Sequence, residues 1–382
     1  MRIQDVKARI ITAHLGDDFC FSQGWVTCRS SVIVEVMTED GESGFGECMC
    51  HGQQPPQIAA AFIENCYRPR LIGRDIYDVE VLWEEMYNVA RPFGQQGAAL
   101  NAISGVDIAL WDAIGKHLGK PISKLLGGNF RDKVWAYATG FYRKHDGIYP
   151  QDAVNEARGY IDKGFRGMKL KTGFGPQADI DYIRAVRQAI GFDVKLMADF
   201  NCAYNQAVAR RILLELQDCK LEFFEELLAP EDATGYAAIR NLTTSYIAAG
   251  ENLFSKQAYK EWLNKGALDI YQPDLCSGGG FTELKKIAAL TQSYNTMLIP
   301  HVWGSGVGLA ASLQFIATLA PTPLALKPVE PMLEFDQSSH PFRLDLIFDG
   351  IKLEDGYVQV PTTPGIGVEV NREIFVRYQI NK

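Results

Sequence analysis

Three acids dominate any chemical reading of the chain: Asp199, Glu225 and Glu251. Each closes a short apolar run, in VKLMADFN, KLEFFEEL and TSYIAAGEN, and both separations, 199 to 225 and 225 to 251, are 26 residues. A strand, a helix and two loops use about that length, well above the ~10–12 residues of a minimal crossover. Three acids at the same ends of neighbouring parallel strands repel unless a cation lies between them. Oxygen-only ligands select a hard divalent ion, Mg2+ foremost. The rhythm extends in both directions. Lys169 and Lys171 end FRGMKLK, Asp274 follows DIYQP, His301 follows NTMLIP, and Glu334 follows VEPML.

A divalent ion among carboxylates suits abstraction of the proton α to a substrate carboxylate, because the enediolate so formed is a dianion that must be neutralised. Lys169 is placed to add positive charge, and Glu334 to polarise the substrate carboxylate. Lys171, crowded by an ion and a second ammonium, is expected to have a lowered pKa and to act as a base. Asp274 can orient His301 and raise its basicity, giving a second base opposite the first. Two facing bases support racemisation or elimination. Singly, each residue has an ordinary reading: K-x-K as a solvated pair, a strand-end Asp as a helix cap, His301 as a core histidine. The ordered series outweighs those readings. Glu226 and Glu330 are neighbours of site acids rather than candidates, because adjacent strand residues face opposite ways. Asn201 shares the parity of Asp199 and is expected near the ligand. His51 lies in a loop expected to face the site.

The elements that hold these residues are set by periodicity. From residue 133 onward strands alternate with helical stretches such as PQADIDYIRAVRQAIG and GFTELKKIAALTQSYN, the pattern of a TIM-type barrel, whose strand ends carry the active site. Before it, RIQDVKARII and SSVIVEVMTEDGESGFGE read as antiparallel strands, followed by helices through LNAISGVDIALWDAIGKHLG. The expected organisation is an α+β capping domain over 1–128, a barrel over 129–340, and a tail over 341–382 that packs back on the capping domain. A charged fraction of 22% and a hydrophobic fraction of 47% are those of an ordinary globular protein, and a net charge of −8 leaves no nucleic-acid footprint. The eight cysteines include no paired C-x-x-C motifs, and no apolar run reaches the length of a membrane span or signal peptide. A cytoplasmic enzyme with reduced thiols and no membrane partner is expected.

In order, K-L-K, A-D-F-N, F-E-E, A-G-E-N, Q-P-D…G-G-G and I-P-H resemble the enolase superfamily, mandelate racemase and muconate lactonising branch, as does A-x-S-G-V-D-I-A-L-W-D in the first domain. The resemblance implies a modified (β/α)7β barrel with an α+β capping domain completed by the C-terminal tail. It also implies Mg2+ on Asp199, Glu225 and Glu251, Lys171 and the His301–Asp274 pair as bases, Lys169 and Glu334 stabilising the intermediate, capping segments near Asp17–Trp25 and Met49–Gln54 that close over the substrate with Trp25 and His51, and a homo-oligomer. QPDLCSGGGFTE, IPHVWGSGVGLAASLQF and EPMLEFDQSSHPFR are further similar to the sugar-diacid lactone cycloisomerases of that branch. That likeness implies β-elimination that opens the lactone to a 3-deoxy-2-keto hexarate. Dehydration of an open-chain acid sugar, racemisation or epimerisation, and non-catalytic binding on the same scaffold are the alternatives.

Overall fold

The computed structural model describes residues 1–321, 325–348 and 350–380. An antiparallel sheet comes first: β1 (Ile3–Phe21), β2 (Gly24–Thr38) and β3 (Ser43–Cys48), in that order. Both of its faces are buried, which is why β2 reads as a nearly continuous apolar run rather than an alternating one. Val32, Val34 and Val36 pack on the helical layer, whereas Ile33 packs toward the barrel. β1 and β2 extend well past the expected strands, forming a hairpin arm with a register shift between His14 and Phe19. Gly44 and Gly46 let β3 lie directly on the helix Ala98–His117. A Cβ at either position would come within 2.0–2.1 Å of a helix carbonyl oxygen.

The barrel strands come next: β4 (Lys133–Thr139), β5 (Gly167–Lys171), β6 (Lys195–Asp199), β7 (Phe223–Glu225), β8 (Tyr246–Ala249), β9 (Ile270–Tyr271), β10 (Met297–Leu298) and β11 (Leu333–Asp336). β4 to β10 pair in parallel with their chain neighbours, and β11 returns to pair in parallel with β4. A helix succeeds each of the first seven barrel strands, which gives the (β/α)7β architecture. Tyr137, Met197, Phe223, Ala248, Ile270, Ile299 and Met332 form an apolar cluster inside the barrel. Among the described residues no helix is long and apolar enough to cross a membrane.

The tail divides between the two layers. Part of it joins the barrel: β13 (Tyr357–Gln359), hairpin partner of β12 (Leu353–Glu354), pairs antiparallel with the lower half of β4. That half of β4 lies below its pairing with β5, so its backbone groups need another partner. The remainder does reach the first layer. Ile366 N–H donates to Asp112, Ile380 N–H donates to the Ile10 carbonyl, and Arg372 pairs with Glu35 at 2.6 Å.

One carboxylate joins sheet and barrel. Glu47, buried on β3, accepts from Ser31 Oγ at 2.6 Å, from the Ser305 hydroxyl at 2.6 Å and backbone at 3.0 Å, and from Gly308 N–H at 2.8 Å. The last two residues open the helix Gly306–Ala317, whose free N–H groups favour an anion. Glu47→Ala strands several buried donors at ~1–3 kcal/mol each. The expected outcome is a loss of at least ~3 kcal/mol, read from the denaturant midpoint, against ~1 kcal/mol for Ser31→Ala. Equal midpoints for wild type and Glu47→Ala would contradict it.

Candidate active site

The site is one layer of side chains above the apolar floor. Two residues along a strand return to the same face. Met197 is therefore succeeded inward by Asp199, Phe223 by Glu225, Ile299 by His301, Met332 by Glu334 and Tyr137 by Thr139. Gln272 and Asp274 rise in the same way above Ile270. Glu251 breaks the rule, standing three residues past Ala248. The intervening Gly250 has φ +147° and approaches the β9 backbone so closely that a Cβ would lie 2.6 Å from Gln272 N. Only glycine fits there, and the kink turns Glu251 back toward the ring of acids.

The charged groups interlock. Lys169 Nζ lies 2.6 Å from Glu225 Oε1, 2.8 Å from Glu334 Oε1 and 4.0 Å from Asp199 Oδ2. Lys171 Nζ donates to Asp199 Oδ2 at 2.5 Å and to Asn201 Oδ1 at 3.4 Å. His301 Nδ1 is 2.7 Å from Asp274 Oδ2, and its Nε2 is 3.3 Å from Glu251 Oε2. Asp274 is fixed in turn by the Cys276 N–H at 2.6 Å. Gln272 Nε2 donates to Glu225 Oε2 and Thr139 Oγ1 to Glu334 Oε1, each at 2.7 Å. All the ionised members are buried.

Burial raises Glu225 to about 7; Lys169 opposes this, while Asp199, Glu334 and Glu251 add to it. Glu334 is held at about 2, because Lys169 and His301 outweigh its burial. His301 is lifted to about 10, since Glu251, Glu334 and the bond to Asp274 outweigh desolvation. Among these acids alone, burial pulls Lys171 down, but Asp199 faces the ammonium directly and carries it above the ordinary lysine value; the lowering expected above is that of a lysine beside an ion. As the chain stands, both candidate bases hold their protons.

A cavity opens above Lys171, Asn201, Glu251 and His301, roofed by Phe21, His51, Tyr142 and Trp303. Its free volume of ≈ 20 Å³ suits a water molecule, so a sugar acid enters only if the roof lifts. Asn201 and His51 are thus brought to the cavity. His51 is held neutral, pushed down to about 4 by burial and by Lys171 and His301. Trp25 is not brought there. It is 40% exposed and stacks on the His145 ring at 3.5 Å, leaving its place in the roof to Phe21 at the other side of the hairpin. Gln272, Thr139, Tyr142 and Trp303 are site residues that the strand-end pattern alone does not pick out. Parity with Asp274 and His301 marks Gln272 and Trp303 in the sequence. Thr139 and Tyr142 lie at or beyond a strand end that carries no charge.

The three acids are neighbours, yet each leans on a cation. Among the described residues no three acid, imidazole or thiol groups are already gathered as a cage for a metal. Their chemistry nevertheless fits one. Among the described residues, six buried acids (Asp199, Glu225, Glu226, Glu251, Asp274 and Glu334) share Lys169, Lys171 and His301 as their cationic partners, and Glu225 and Glu251 are raised by burial and by neighbouring carboxylates. Asp199, Glu225 and Glu251 are the oxygen donors on consecutive strand ends. Glu226 is turned aside by its φ of +48° and accepts from Asn252 Nδ2 at 2.8 Å.

Residues 9–127 match the model of the mandelate racemase / muconate lactonizing enzyme N-terminal domain, and residues 152–374 match that of the enolase C-terminal domain-like proteins. The chain is 38% identical over 380 residues to the D-galactarolactone cycloisomerase of Agrobacterium fabrum, covering 100% of this chain and 99% of that one. It is 32% identical over 349 residues to the arabinonate dehydratase of Saccharolobus solfataricus, covering 91% and 90%. Among solved structures, the 3,6-anhydro-D-galactonate cycloisomerase from Zobellia galactanivorans superposes with a TM-score of 0.89 at 35% identity, covering 100% of both chains. A racemase from Streptomyces coelicolor A3(2), solved with bound magnesium, superposes with a TM-score of 0.88 at 27% identity over 99% of this chain and 100% of that one. With both of its halves matched and relatives aligned along its whole length, the chain belongs to the mandelate racemase / muconate lactonizing enzyme family of the enolase superfamily.

Proposed function

We propose that this enzyme abstracts the proton α to the free carboxylate of a sugar-diacid lactone and opens the ring by β-elimination, giving a 3-deoxy-2-keto hexarate. The observation that carries the reading is the pairing across one cavity: Lys171 on one wall, and His301 with Asp274 behind it on the other. The similarity to D-galactarolactone cycloisomerase supports the substrate class. Mg2+ on Asp199, Glu225 and Glu251 would supply Lewis-acid stabilisation of the enediolate and draw off the carboxylate charge that keeps Lys171 and His301 protonated.

The chain's own residues do the rest. Lys169, locked between Glu225 and Glu334, holds fixed positive charge beside the substrate carboxylate. One of Lys171 and His301 takes the α proton, and Asp274 keeps the His301 ring in one tautomer with Nε2 toward the cavity. The departing group is a carboxylate, so expulsion needs little acid assistance. Dehydration of an open-chain acid sugar is the second reading, favoured by the arabinonate dehydratase similarity. There His301 would donate its proton to departing hydroxide.

Incubation with a sugar-diacid lactone and Mg2+ in heavy water is expected to accumulate a keto acid that forms a semicarbazone. Deuterated substrate without keto acid would point to a racemase. No keto acid from any lactone, but some from open-chain acids, would move the assignment to a dehydratase. Lys171→Ala or His301→Asn, whichever residue faces the substrate proton, lowers turnover by at least ~10^3-fold while circular dichroism and Mg2+ binding persist. Wild-type rates in both variants would remove the site assignment.

The metal-free protein has a pH signature. Glu225, raised from 4.5 to about 7, and His301, raised from 6.5 to about 10, both hold protons that the unfolded chain has released. Stability therefore falls as pH rises through these windows, while the depressed Glu334 acts only below about 4.5. The thermal midpoint without metal is expected to be lower at pH 8 than at pH 6, with Mg2+ raising it more at pH 8. Glu225→Gln should blunt both effects and weaken Mg2+ binding in calorimetry. Unchanged affinity in that variant would contradict the ligand role.

A further inference from the structure

Above the catalytic ring lies a second charged layer of opposite balance. Asp336 shares a strand face with Glu334 and stands two residues further up β11, about 7 Å along the strand. It holds two guanidinium groups, Arg29 at 3.3 Å and Arg343, so this layer carries one more positive than negative charge. Arg29 reaches it from the barrel-facing side of β2, the same side as Ser31 and Ile33, and is 2% exposed. Its guanidinium lies over the Trp303 ring at 3.7 Å, with Nη1 3.2 Å from Ser338 Oγ. Trp303 Nε1 is buried and has no hydrogen-bond partner among the described residues.

This layer opens into a chamber of ≈ 180 Å³ lined by Arg29, Ser30, His51, Gln54 and Trp303. His51 and Trp303 also roof the catalytic cavity, so the two spaces share a wall. A neighbouring chamber, which shares His51 and Gln54 with the Arg29 chamber and borders Glu251, Asn101 and Ser277, has no lysine or arginine in its described lining. Of the two chambers, the one with Arg29 carries the cation and the other the carboxylate.

We propose that Arg29 receives the end of the substrate remote from the reacting carbon, holding the lactone carbonyl and then the carboxylate that ring opening releases. This assignment rests on the lactone-opening reading. The α C–H bond breaks with its proton going to the base. The bond from Cβ to the ring oxygen breaks next, its electron pair staying on that oxygen. The ester group becomes a carboxylate and the Cα–Cβ enol forms; its hydroxyl proton moves to Cβ as the ketone appears, and the α proton leaves the base for solvent, so the lactone monoanion gives the keto-acid dianion and one proton. Negative charge thus develops on the remote end only as the second bond breaks. A guanidinium already buried and braced there stabilises that change more than it stabilises bound substrate.

The test separates the two bond cleavages. Wild type, Arg29→Met and Arg29→Lys are given a sugar-diacid lactone and Mg2+ in heavy water. Keto acid is measured as semicarbazone, and deuterium in the recovered lactone by NMR. In Arg29→Met ring opening is expected to fall ~100-fold relative to α-proton exchange, so the recovered lactone becomes deuterated, and Arg29→Lys restores part of the ratio. A ratio equal to wild type in a folded Arg29→Met would make Arg29 a structural ion-pair partner and overturn the proposal. If Arg29→Met does not fold, the ratio in Arg29→Lys decides, and a wild-type value overturns it. A wild-type protein that opens no lactone would instead sink the functional reading, and this assignment with it.

Discussion

The fold is built around an expensive act, the burial of more carboxylates than cations at the mouth of a barrel. Charge taken out of water must be matched locally or neutralised by protonation. Lys169 matches part of it, without solvent contact and held by two glutamates at once. The unmatched remainder appears as the raised Glu225, Glu226 and Glu251. An apolar core would be more stable than such a ring. The excess of carboxylate on consecutive strand ends is a chemical setting that a hard cation fits.

The barrel makes this ring possible by separating tasks by height. The larger apolar core lies between the strands and the helices around them, and the Tyr137–Met332 layer is a packed apolar floor inside the barrel. Because side chains return to one face every second residue, the same strands present a charged layer directly above it. A one-residue slip would exchange the whole set, sending Asp199 and Glu225 into the helical shell. Catalytic geometry is therefore secured by the register of the apolar floor.

Much of this is legible in the chain. The acids at intervals of 26 residues, the K-x-K pair and the Asp274–His301 pair all lie at strand ends, where one periodicity fixes their direction. The remainder belongs to geometry that period does not encode. The route of Glu251 into the ring depends on the φ of Gly250, and the displacement of Glu226 depends on its own left-handed backbone. Position in the arm suggests Trp25 for the roof, but the register of that hairpin decides which of its aromatics faces inward, and Phe21 does. The protonation of Lys171 cannot be read from neighbours in sequence, since its controlling partner, Asp199, comes from the next strand. The tail strand on β4 is hidden for a similar reason: its partner lies more than two hundred residues upstream.

The roof and the joint between layers differ in how firmly they are held, and the difference bears on entry to the site. At the joint, Glu47 is surrounded by buried donors from β2 and a helix N-terminus, and parting them would strand each one. The arm that carries Phe21 is fastened near its tip by contacts of another kind. Ser22 Oγ donates to the Phe200 carbonyl at 3.1 Å, Gln23 Nε2 donates to the Asn201 carbonyl at 2.6 Å, and Cys20 exchanges backbone bonds with Arg143. The Ser22 and Gln23 bonds are only partly buried, so water can replace them at little net loss when the tip lifts. The register shift between His14 and Phe19 supplies a weak point in the hairpin ladder below them. The arm tip is thus the more weakly fastened of the two, while the joint through Glu47 ties the capping sheet to the barrel.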